Sequence, residues 1–408
     1  MKKSLLWMIT IFVLIGVSVT AFAQTNDEQV KGTIVAPAST RGLPGLNVHT
    51  PLYVFIPDVK PDNNPPPSAE TPGSIACIYG VTPPTSGCPR SGSPVSTGGS
   101  KAIAVVDYGH NSTLQADFDK FSAQYGLPTQ TLQFICDCGS CPSNDGSGWD
   151  VETALDTQWA HAMAPNAQII VAEFCNDPFQ GGTSAAEYLA GQAVAAAGGG
   201  EVSNSFITNE FNGETAWDQY MTTSTVVYFA STGDNGCGTG YPESSPNVVA
   251  AGGTHIVRSN GNFNGVETTW SGSGGGISRF EPLPNYQLII GNITGPHRGT
   301  PDWASDADPA TGVGVYSTTY FGGWGQVGGT SVSSPTLAGI VNNAGNFANH
   351  TASELARSYS YYRTPGIYHH WFFDVTSGSN GGSCGSAKVG WDKGTGLGAP
   401  RNSRLGGF

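Results

Sequence analysis

Apolar residues follow two alternating patterns from residue 101 onward. Short, mostly apolar runs end in turn residues, as in KAIAVVDYG (101–109) and AQIIVAEF (167–174). Between and after them lie stretches with apolar residues at helical spacing, such as STLQADFDKFSAQYG (112–126) and VETALDTQWAHAMA (151–164). Buried strands that alternate with helices are typical of a parallel sheet covered on both faces. The pattern therefore predicts an α/β fold with a mainly parallel central sheet.

The alternation continues toward the C-terminus. The pattern predicts helices at 184–198, 214–223 and 334–348, and strands at 201–206 and 225–232. The last third is rich in glycine, and there the segment SPTLAGIVNNAGNFA (334–348) is the one clear helix. We expect the remainder of that third to consist mainly of loops.

The N-terminus has the pattern of a secretory signal peptide. Lys2 and Lys3 precede an apolar run from Leu5 to Val19, and the small-residue site Ala21-Phe22-Ala23 follows. A membrane anchor is the alternative, but the run is short and ends in a cleavable site. We therefore expect a signal peptide at 1–23 and a secreted, extracellular or periplasmic protein that is not held at the membrane.

Residues 24–99 differ from the rest of the chain in composition and in hydrophobic pattern. They are rich in Pro, Ser, Gly and Asn and show no long apolar periodicity. We expect an extended arm tied down by a local Cys77–Cys88 disulfide, followed by one peptidase-sized domain at 100–408. An arm of this length is too short for a full-length folded prodomain.

Charge and cysteine content narrow the class of protein. The chain carries 17 basic and 30 acidic residues, which disfavours nucleic acid or an anionic membrane as a partner. Eight cysteines in an exported chain indicate disulfides. Cys136, Cys138 and Cys141 form a CxCxxC pattern that could instead bind a metal, although no further zinc-like spacing accompanies it. The connectivity of the other cysteines stays open.

The segment GGTSVSSPTLAGI (328–340) carries the strongest chemical signal. A Gly-rich turn presents Ser331, and we expect Pro335 in the first turn of the helix that follows. Free backbone N–H groups at a helix N-terminus favour developing negative charge, so Ser331 is a candidate nucleophile. The alternative is a serine that only caps the helix.

A nucleophilic serine needs a base. Neither His110 nor His161 has the surroundings of a subtilisin histidine, although a histidine-based triad remains an alternative. Glu152 and Asp156 lie four residues apart, so both carboxylates share one helix face. The pair indicates either a compensating cation or a shared proton, and no Lys or Arg occurs in residues 121–200. The alternative is an ordinary solvated acidic helix face, for which the lack of a nearby cation is less typical.

A third acidic residue follows an apolar strand. Asp234 lies in VVYFASTGDNG, where the strand ends and a glycine-flanked turn begins. Open α/β sheets bind ligands at the carboxyl ends of their strands. A protonated Asp234 could donate a hydrogen bond to an oxyanion, and its alternative role is a simple turn former.

These segments together resemble the sedolisin family of serine-carboxyl peptidases. The matching strings occur in family order and include GWDVETALDTQWAHAMAPNAQIIVAE, VVYFASTGDNG, TTWSGSGGGISRFEPLP, GGTSVSSP and VGWDKGTGLGAP. The resemblance implies a subtilisin-like fold and an acid-acting endopeptidase that hydrolyses proteins or peptides. We expect the protein to be a monomer. It implies that Ser331 forms an acyl-enzyme, Glu152 is the general base, Asp156 orients Glu152, and Asp234 completes the oxyanion hole.

The resemblance also suggests residues around this centre. Asp107 stands where some relatives carry a glutamate that extends the carboxylate network, and its alternative is a strand-end turn residue. The family often has Ser-Trp-Gly where this chain has Ser205-Phe206-Ile207. We expect Ser205 and Phe206 to contribute to substrate binding, with subsites changed from those of relatives.

One structural calcium ion is implied near the C-terminus. By position, its ligands would be the side chains of Asp374 and Asp392 and the carbonyls of Val375, Lys388 and Gly390. An all-oxygen site of this kind suits a hard cation. A catalytically inactive peptide-binding protein on the same fold remains the alternative function.

Overall fold

The computed structural model describes residues 31–58, 63–179 and 185–408. The predicted signal peptide at 1–23 lies outside these residues. Within them, no helix combines the length and the apolar character needed to cross a membrane.

The strands and helices are numbered in chain order. The strands are β1 (Gly32–Val35), β2 (Tyr53–Pro57), β3 (Ala102–Tyr108), β4 (Gln133–Cys136), β5 (Gln168–Phe174), β6 (Gly200–Asn204), β7 (Thr208–Asn209), β8 (Val226–Ser231), β9 (Gly240–Tyr241), β10 (Val248–Ser259), β11 (Asn262–Thr269), β12 (Gly276–Pro282), β13 (His297–Thr300), β14 (Trp303–Asp306), β15 (Val313–Ser317), β16 (Gly323–Gly328), β17 (Phe372–Phe373), β18 (Ser379–Gly381), β19 (Gly385–Ser386) and β20 (Ala399–Pro400). The α-helices are α1 (Pro72–Ile78), α2 (Leu114–Tyr125), α3 (Trp149–Met163), α4 (Ala185–Ala196), α5 (Gly291–Thr294), α6 (Thr330–Ala344), α7 (Thr351–Tyr362) and α8 (Pro365–Trp371). Short 3₁₀ turns occupy Ala38–Arg41, Glu214–Ala216, Asp218–Met221, Asn285–Ile290, Gly382–Cys384 and Ser403–Leu405.

The central sheet has the strand order β11-β10-β8-β6-β3-β5-β4, and β14 also pairs with β10. Every pair in it is parallel except β10 with β11. Strands β6 and β8 are buried along their whole length, because helices cover both faces of the sheet. The predicted mainly parallel sheet is confirmed.

Two apolar cores lie on opposite sides of this sheet. One contains the inner faces of α2, α3 and α6, and the other contains the inner face of α4. Helices α3 and α6 pack against each other, and all fifteen residues of α3 are buried. A helix buried all round brings its polar side chains into the interior, which is where a catalytic group needs a controlled environment.

Residues before 100 contribute to the body of the protein. Strand β2 pairs with both β1 and β16, so it lies inside a four-stranded sheet of order β1-β2-β16-β15. Helix α1 has a Thr71 N-cap that accepts from the Ser74 N–H group. The expected Cys77–Cys88 disulfide is confirmed.

The crowded cysteines are joined as disulfides. Cys136 pairs with Cys141, and Cys138 pairs with Cys175. A fourth bridge joins Cys237 to Cys384. All eight cysteines are therefore oxidised, and the metal-binding alternative for the CxCxxC pattern is not supported.

Three predictions about local structure were wrong. Residues 214–223 form two 3₁₀ turns rather than a helix, because the Glu214 side chain accepts from the Phe211 N–H and the Ser244 hydroxyl instead of facing solvent. Helix α6 begins at Thr330, so Pro335 lies in its second turn. The C-terminal third also contains α7 and α8, whose starts are marked by His350 and by Pro365.

Candidate active site

The first half of α3 carries the two acidic residues of interest. Glu152 and Asp156 are fully buried on the helix. The loop before α3 is fixed by Asp150, whose carboxylate accepts the N–H groups of Gly146 at 2.8 Å and Gly148 at 3.0 Å. This anchoring sets the direction in which α3 enters the core and hence where both carboxylates point.

Helix α6 delivers Ser331 in its first turn. Gly329 precedes the helix with φ of 110°, and a Cβ atom there would lie 2.4 Å from Oδ2 of Asp234. Only glycine fits a position that combines this conformation with so close an approach. The tight turn therefore brings Ser331 and Asp234 into one site.

The Ser331 hydroxyl faces Glu152. Neither Ser331 Oγ nor either carboxylate oxygen of Glu152 has a formed hydrogen bond within the described part of the chain. Burial and the charge of Asp107 raise the pKa of Glu152, and the Ser331 hydroxyl partly opposes this rise. The hydroxyl and the carboxylate are thus neighbours, and each has free hydrogen-bonding capacity.

Pro335 has a specific consequence for this turn. A proline has no N–H group, so the carbonyl of Ser331 lacks its usual helical donor four residues later. Ser205 Oγ lies 3.4 Å from that carbonyl and donates to Asp156 Oδ1 at 2.9 Å. Ser205 therefore connects the end of β6 to both helices that form the site.

Asp234 lies just after β8, as predicted from the strand pattern. Its Oδ1 accepts the backbone N–H of Thr330 at 2.8 Å and the Thr330 hydroxyl at 3.0 Å, while Oδ2 has no hydrogen-bond partner in the described residues. Burial raises the pKa of Asp234 to about 7, although the bonds from Thr330 oppose the rise. Below that pH, Oδ2 can carry a proton and act as a donor.

Asp107 joins Glu152 and Asp156 in one buried carboxylate network. Burial raises the pKa of each of the three well above its ordinary value. The charge of Asp107 adds to the rise at both Glu152 and Asp156, and Glu173 adds to the rise at Asp107. No Lys or Arg in the described residues forms an ion pair with any of the three, so protons must offset their charge.

The structure places Phe206 away from open solvent. Its ring is fully buried, with centroids 5.4 Å from Phe174 and 5.9 Å from Phe179. The following residue, Ile207, exchanges both backbone hydrogen bonds with His49, each at 3.0 Å. The edge predicted to bind substrate is therefore occupied by the protein's own N-terminal region.

Sequence reasoning missed two groups at the centre. Thr330 supports Asp234, and its hydroxyl also accepts the Gly233 N–H at 3.0 Å. Pro51 directs its carbonyl at the Ser331 N–H at 3.1 Å. The position of Thr330 directly before Ser331 could have indicated its role, whereas nothing local marks Pro51.

Two cavities meet at Asp234. One, of about 220 Å³, is lined mainly by neutral residues, namely Ile207, Thr208, Asn209, Thr232, Gly233, Asn235, Gly236, Cys237, Gly238, Thr239 and Gly240 together with His49 and Asp234. The other, of about 230 Å³, is bounded largely by residues 36–53. The two spaces share His49, Asp234 and Asn235, so they form the two sides of one groove.

The candidate calcium ligands lie in one C-terminal region. Asp374 accepts the Gly390 N–H at 3.0 Å, and Asp392 accepts the Lys388 N–H at 3.2 Å. Burial raises the pKa of both carboxyl groups, and within the described residues neither forms an ion pair with Lys or Arg. Val375 is fully buried beside Asp374. Two partly desolvated carboxylates without a cation partner suit a hard cation.

Comparison with known proteins adds a family relationship. No family model matches the chain. Kumamolisin of Bacillus sp. (strain MN-32) is 29% identical over 352 residues, which are 76% of this chain and 60% of that protein. Sedolisin of Pseudomonas sp. (strain 101) is 29% identical over 345 residues, which are 74% of this chain and 57% of that protein. The chain thus spans somewhat under two thirds of the length of these relatives.

A solved structure agrees with this relationship. It is that of Pseudomonas sedolisin, a serine-carboxyl proteinase complexed with two molecules of pseudo-iodotyrostatin. It shares 25% sequence identity and a TM-score of 0.63, covering 83% of this chain and 97% of the sedolisin chain. The subtilisin-like α/β fold class is confirmed. The resemblance to the sedolisin family is therefore confirmed by sequence and by fold.

Proposed function

We propose that this protein is a serine-carboxyl endopeptidase that hydrolyses protein or peptide substrates through an acyl-enzyme. The observation that carries the proposal is the convergence of Ser331, Glu152 and Asp234 in one buried site at the N-terminus of α6. Nucleophile, base and oxyanion donor are the three parts that acyl transfer requires.

The residues divide the chemistry as follows. Ser331 Oγ attacks the substrate carbonyl while Glu152 takes its proton, and Asp156 with Asp107 holds Glu152 in place and shares its charge. The Ser331 N–H and a protonated Asp234 Oδ2 donate to the oxyanion. Glu152 then protonates the leaving amine, and water attacks the acyl-enzyme in the same manner.

We propose operation at acidic pH. A protonated Asp234 donates to the oxyanion, and burial places its pKa at about 7, so the donor is lost as pH rises through that value. The carboxylate network also has no basic partner in the described residues, so low pH supplies the protons that stabilise it.

An endopeptidase is supported by the groove. The N-terminal region enters it at His49 and leaves it through Leu52 into β2, so the site accommodates a chain that continues on both sides. An exopeptidase site would need one closed end. The mostly neutral lining of the 220 Å³ cavity suits an uncharged substrate side chain.

Calcium and export complete the proposal. We propose that one structural calcium ion binds Asp374 and Asp392 with carbonyls of Val375, Lys388 and Gly390. Addition of a calcium chelator should lower the melting temperature of the wild type but not of an Asp374→Asn/Asp392→Asn variant; equal shifts in both would contradict this site.

Four disulfides support an oxidising compartment outside the cytoplasm.

The test of function is hydrolysis of casein between pH 2 and 8 by the wild type and by Ser331→Ala and Glu152→Gln. Ser333→Ala is the matched control, because Ser333 lies on the same helix but its hydroxyl bonds to Ser305 at 2.9 Å. We expect acid-range cleavage in the wild type and in the control, and none in the two site variants. Mass spectrometry should reveal internal fragments rather than tripeptides.

Two outcomes would contradict the proposal. A folded wild type that cleaves nothing at any pH would favour a peptide-binding protein on the same fold. Retained activity in Ser331→Ala would exclude Ser331 as the nucleophile, and a histidine-based triad would then be tested through His110 and His161.

A further inference from the structure

A histidine at the surface is joined to a buried glutamate beside the carboxylate network. His110 Nδ1 lies 2.6 Å from Glu173 Oε1. The His110 side chain is 45% exposed, whereas that of Glu173 is 5% exposed. Histidines carry a positive charge at acidic pH, so this contact is an ion pair in the pH range proposed for activity. One end of the pair is therefore open to solvent, and the other end lies in the interior.

The central sheet places Glu173 and Asp107 side by side. They lie directly opposite each other in the parallel ladder of β3 and β5, so their side chains leave the sheet on the same face. Val105 and Val171, two residues earlier on each strand, belong to the apolar core that contains the inner face of α3. Because side chains alternate along a strand, both carboxyl groups point toward the helix that carries Glu152.

The loop between β4 and α3 fixes the position of His110. The His110 N–H donates to the Pro142 carbonyl at 2.7 Å, and the His110 carbonyl accepts the Asn144 N–H at 3.0 Å. The disulfide between Cys138 and Cys175 ties the same loop to the chain just after β5. These contacts hold the backbone of His110 beside the end of the strand that carries its partner.

In the described residues, the other titratable groups around this pair are acidic, namely Asp137 and Asp145 from the loop before α3, Asp107 from β3 and, beyond Asp107, Glu152 and Asp156 from α3. On β4, the residue opposite Glu173 is Cys136, which is disulfide-bonded and carries no charge. No lysine or arginine in the described part of the chain forms an ion pair with Glu173. The charge of His110 therefore favours the ionised form of Glu173.

An ionised Glu173 acts on Asp107. Asp107 is fully buried, and neither of its carboxylate oxygens has a hydrogen-bond partner among the described residues. Burial raises the pKa of Asp107, and the charge of Glu173 raises it further. A negative charge on Glu173 thus favours the protonated, neutral form of Asp107.

A neutral Asp107 in turn favours an ionised Glu152. Burial raises the pKa of Glu152, and a charge on Asp107 raises it further, so a protonated Asp107 removes the second effect. Glu152 also lies in the first turn of α3, where free N–H groups and the helix dipole favour negative charge. Groups that interact this strongly titrate as a set, so a charge at one end changes where the proton resides at the other.

We propose that the ion pair of His110 with Glu173 determines which carboxyl group of the buried network holds the proton, and that Glu173 is thereby a positioning residue for Glu152. This inference rests on the proposed function, because it concerns the group assigned as the base. With His110 charged, Glu173 is ionised and Asp107 keeps its proton. Glu152 then gives up its proton at a lower pH than Asp107 does and is ready to accept the proton of Ser331.

The first test is the pH dependence of casein hydrolysis in the wild type and Glu173→Gln. The quantity compared is the acid midpoint, defined as the pH at which the rate rises to half its maximum. We expect the acid midpoint of Glu173→Gln to rise by about one pH unit, because Asp107 then ionises first and its charge opposes ionisation of Glu152. Below the midpoint, the rate should fall about ten-fold, while the maximal rate is retained.

The matched control is Asp119→Asn. Asp119 is exposed on α2, so this variant removes one negative charge from the protein without touching the network. We expect the acid midpoint of the wild type. Melting temperatures establish that every variant is folded at the pH of the assay.

Variants of His110 separate charge from packing. His110→Gln should raise the acid midpoint by a smaller amount than Glu173→Gln, because Glu173 remains but loses its cation. His110→Lys keeps a cation and should retain the wild-type midpoint. The double variant His110→Gln/Glu173→Gln should equal Glu173→Gln alone, because His110 acts through Glu173. Additive shifts would contradict this order of action.

A second readout does not depend on activity. Carbon-13 NMR of the aspartate carboxyl groups can follow Asp107 in the Ser331→Ala variant, which keeps the network but lacks the proposed nucleophile. The resonance of Asp107 is identified by its loss in Asp107→Asn. Adding Glu173→Gln should lower the titration midpoint of Asp107 by about one pH unit, because a neighbouring like charge is removed.

The outcomes separate this inference from the proposed function. An unchanged acid midpoint in Glu173→Gln would overturn the inference and leave the peptidase standing. An equal loss of rate at every pH would indicate a structural role for the ion pair and would also overturn it. A wild type that hydrolyses no casein would overturn the proposed function, whereas the NMR titration of Asp107 would still decide whether Glu173 controls the position of the proton.

Discussion

Two groups of buried carboxylates in this protein are stabilised in opposite ways. The structural group is represented by Asp302 and Glu70, which are fully buried and paired with arginines. The proposed catalytic group, Asp107, Glu152 and Asp156, is equally buried but has no such partner within the described residues. Burial is therefore not what distinguishes the two groups.

The structural carboxylates have nearly all their hydrogen bonds satisfied. Asp302 accepts from both terminal nitrogens of Arg298, at 2.7 and 3.2 Å, and from the Tyr359 hydroxyl at 2.9 Å. Glu70 accepts from two nitrogens of Arg258, each at 2.5 Å. Bidentate pairs of this kind offset the loss of hydration.

The proposed catalytic carboxylates leave five oxygens without hydrogen-bond partners in the described structure, namely both of Asp107, both of Glu152 and Oδ2 of Asp156. Ionisation there is unfavourable, so burial raises the pKa of each of these carboxyl groups well above its ordinary value. The difference is that arginine compensates the burial of Asp302 and Glu70, whereas Asp107, Glu152 and Asp156 have no such compensation in the described structure.

The largest effect should come from Glu152→Gln. We expect hydrolysis to fall by at least about 10³-fold, because serine loses its base. We expect stability at pH 7 to stay equal or to rise, because the change removes a buried ionisable group that lacks a cation. Casein hydrolysis measures the loss of activity, and urea denaturation measures stability. A clear loss of stability would contradict the distinction between carboxylates paired with arginine and carboxylates without a cation.

The converse change is Arg298→Met. It leaves Asp302 buried without its cation, so we expect a loss of about 3–5 kcal/mol in the free energy of unfolding. Activity well below the melting temperature should persist, because the pair lies outside the catalytic site. A second change, Asp302→Asn, should recover part of the loss, and an unaffected single variant would contradict the role assigned to this pair.

Asp234 tests the oxyanion donor. Asp234→Ala should lower kcat roughly 10²- to 10³-fold. Asp234→Asn keeps a donor that does not titrate, so it should lose less activity and remain active above pH 7, where the wild type declines because its pKa is about 7. Identical pH profiles for the wild type and Asp234→Asn would exclude this carboxyl group as the titrating donor.

The smallest effect concerns stability and pH. Burial raises the pKa of Glu243 to about 8 and of Glu267 to about 7, against about 4 for carboxyls in an unfolded chain. Between these values the folded state binds more protons than the unfolded state, so stability should fall as pH rises from about 4 to 8. We expect a loss of at least about 1.4 kcal/mol.

Urea denaturation at pH 4.5 and 7.5 measures this dependence, and Glu243→Gln should reduce its slope by removing one of the titrating groups. Greater stability at pH 7.5 would show that carboxylates paired with cations contribute more to the pH dependence of stability than buried carboxyls without a cation.

The sequence by itself determined the features that depend on neighbours along the chain. The periodicity of apolar residues predicts the parallel α/β sheet, and the four-residue spacing of Glu152 and Asp156 places them on one helix face. The structure buries that face together with the rest of α3. The end of an apolar strand located Asp234. These features follow from the 3.6-residue period of helices and the two-residue period of strands, both of which are visible in the sequence.

Only the tertiary structure decided what the distant parts of the chain do at the site. The Pro51 carbonyl accepts the Ser331 N–H, although the two residues lie 280 positions apart in the sequence. Ser205 connects β6 to α3 and α6. The crowded cysteines pair as Cys136–Cys141 and Cys138–Cys175. Contacts between distant positions leave no periodic signal, because they depend on how packed elements meet rather than on local propensity. For that reason the candidate site residues could be named from the sequence, whereas the segment that covers them could not.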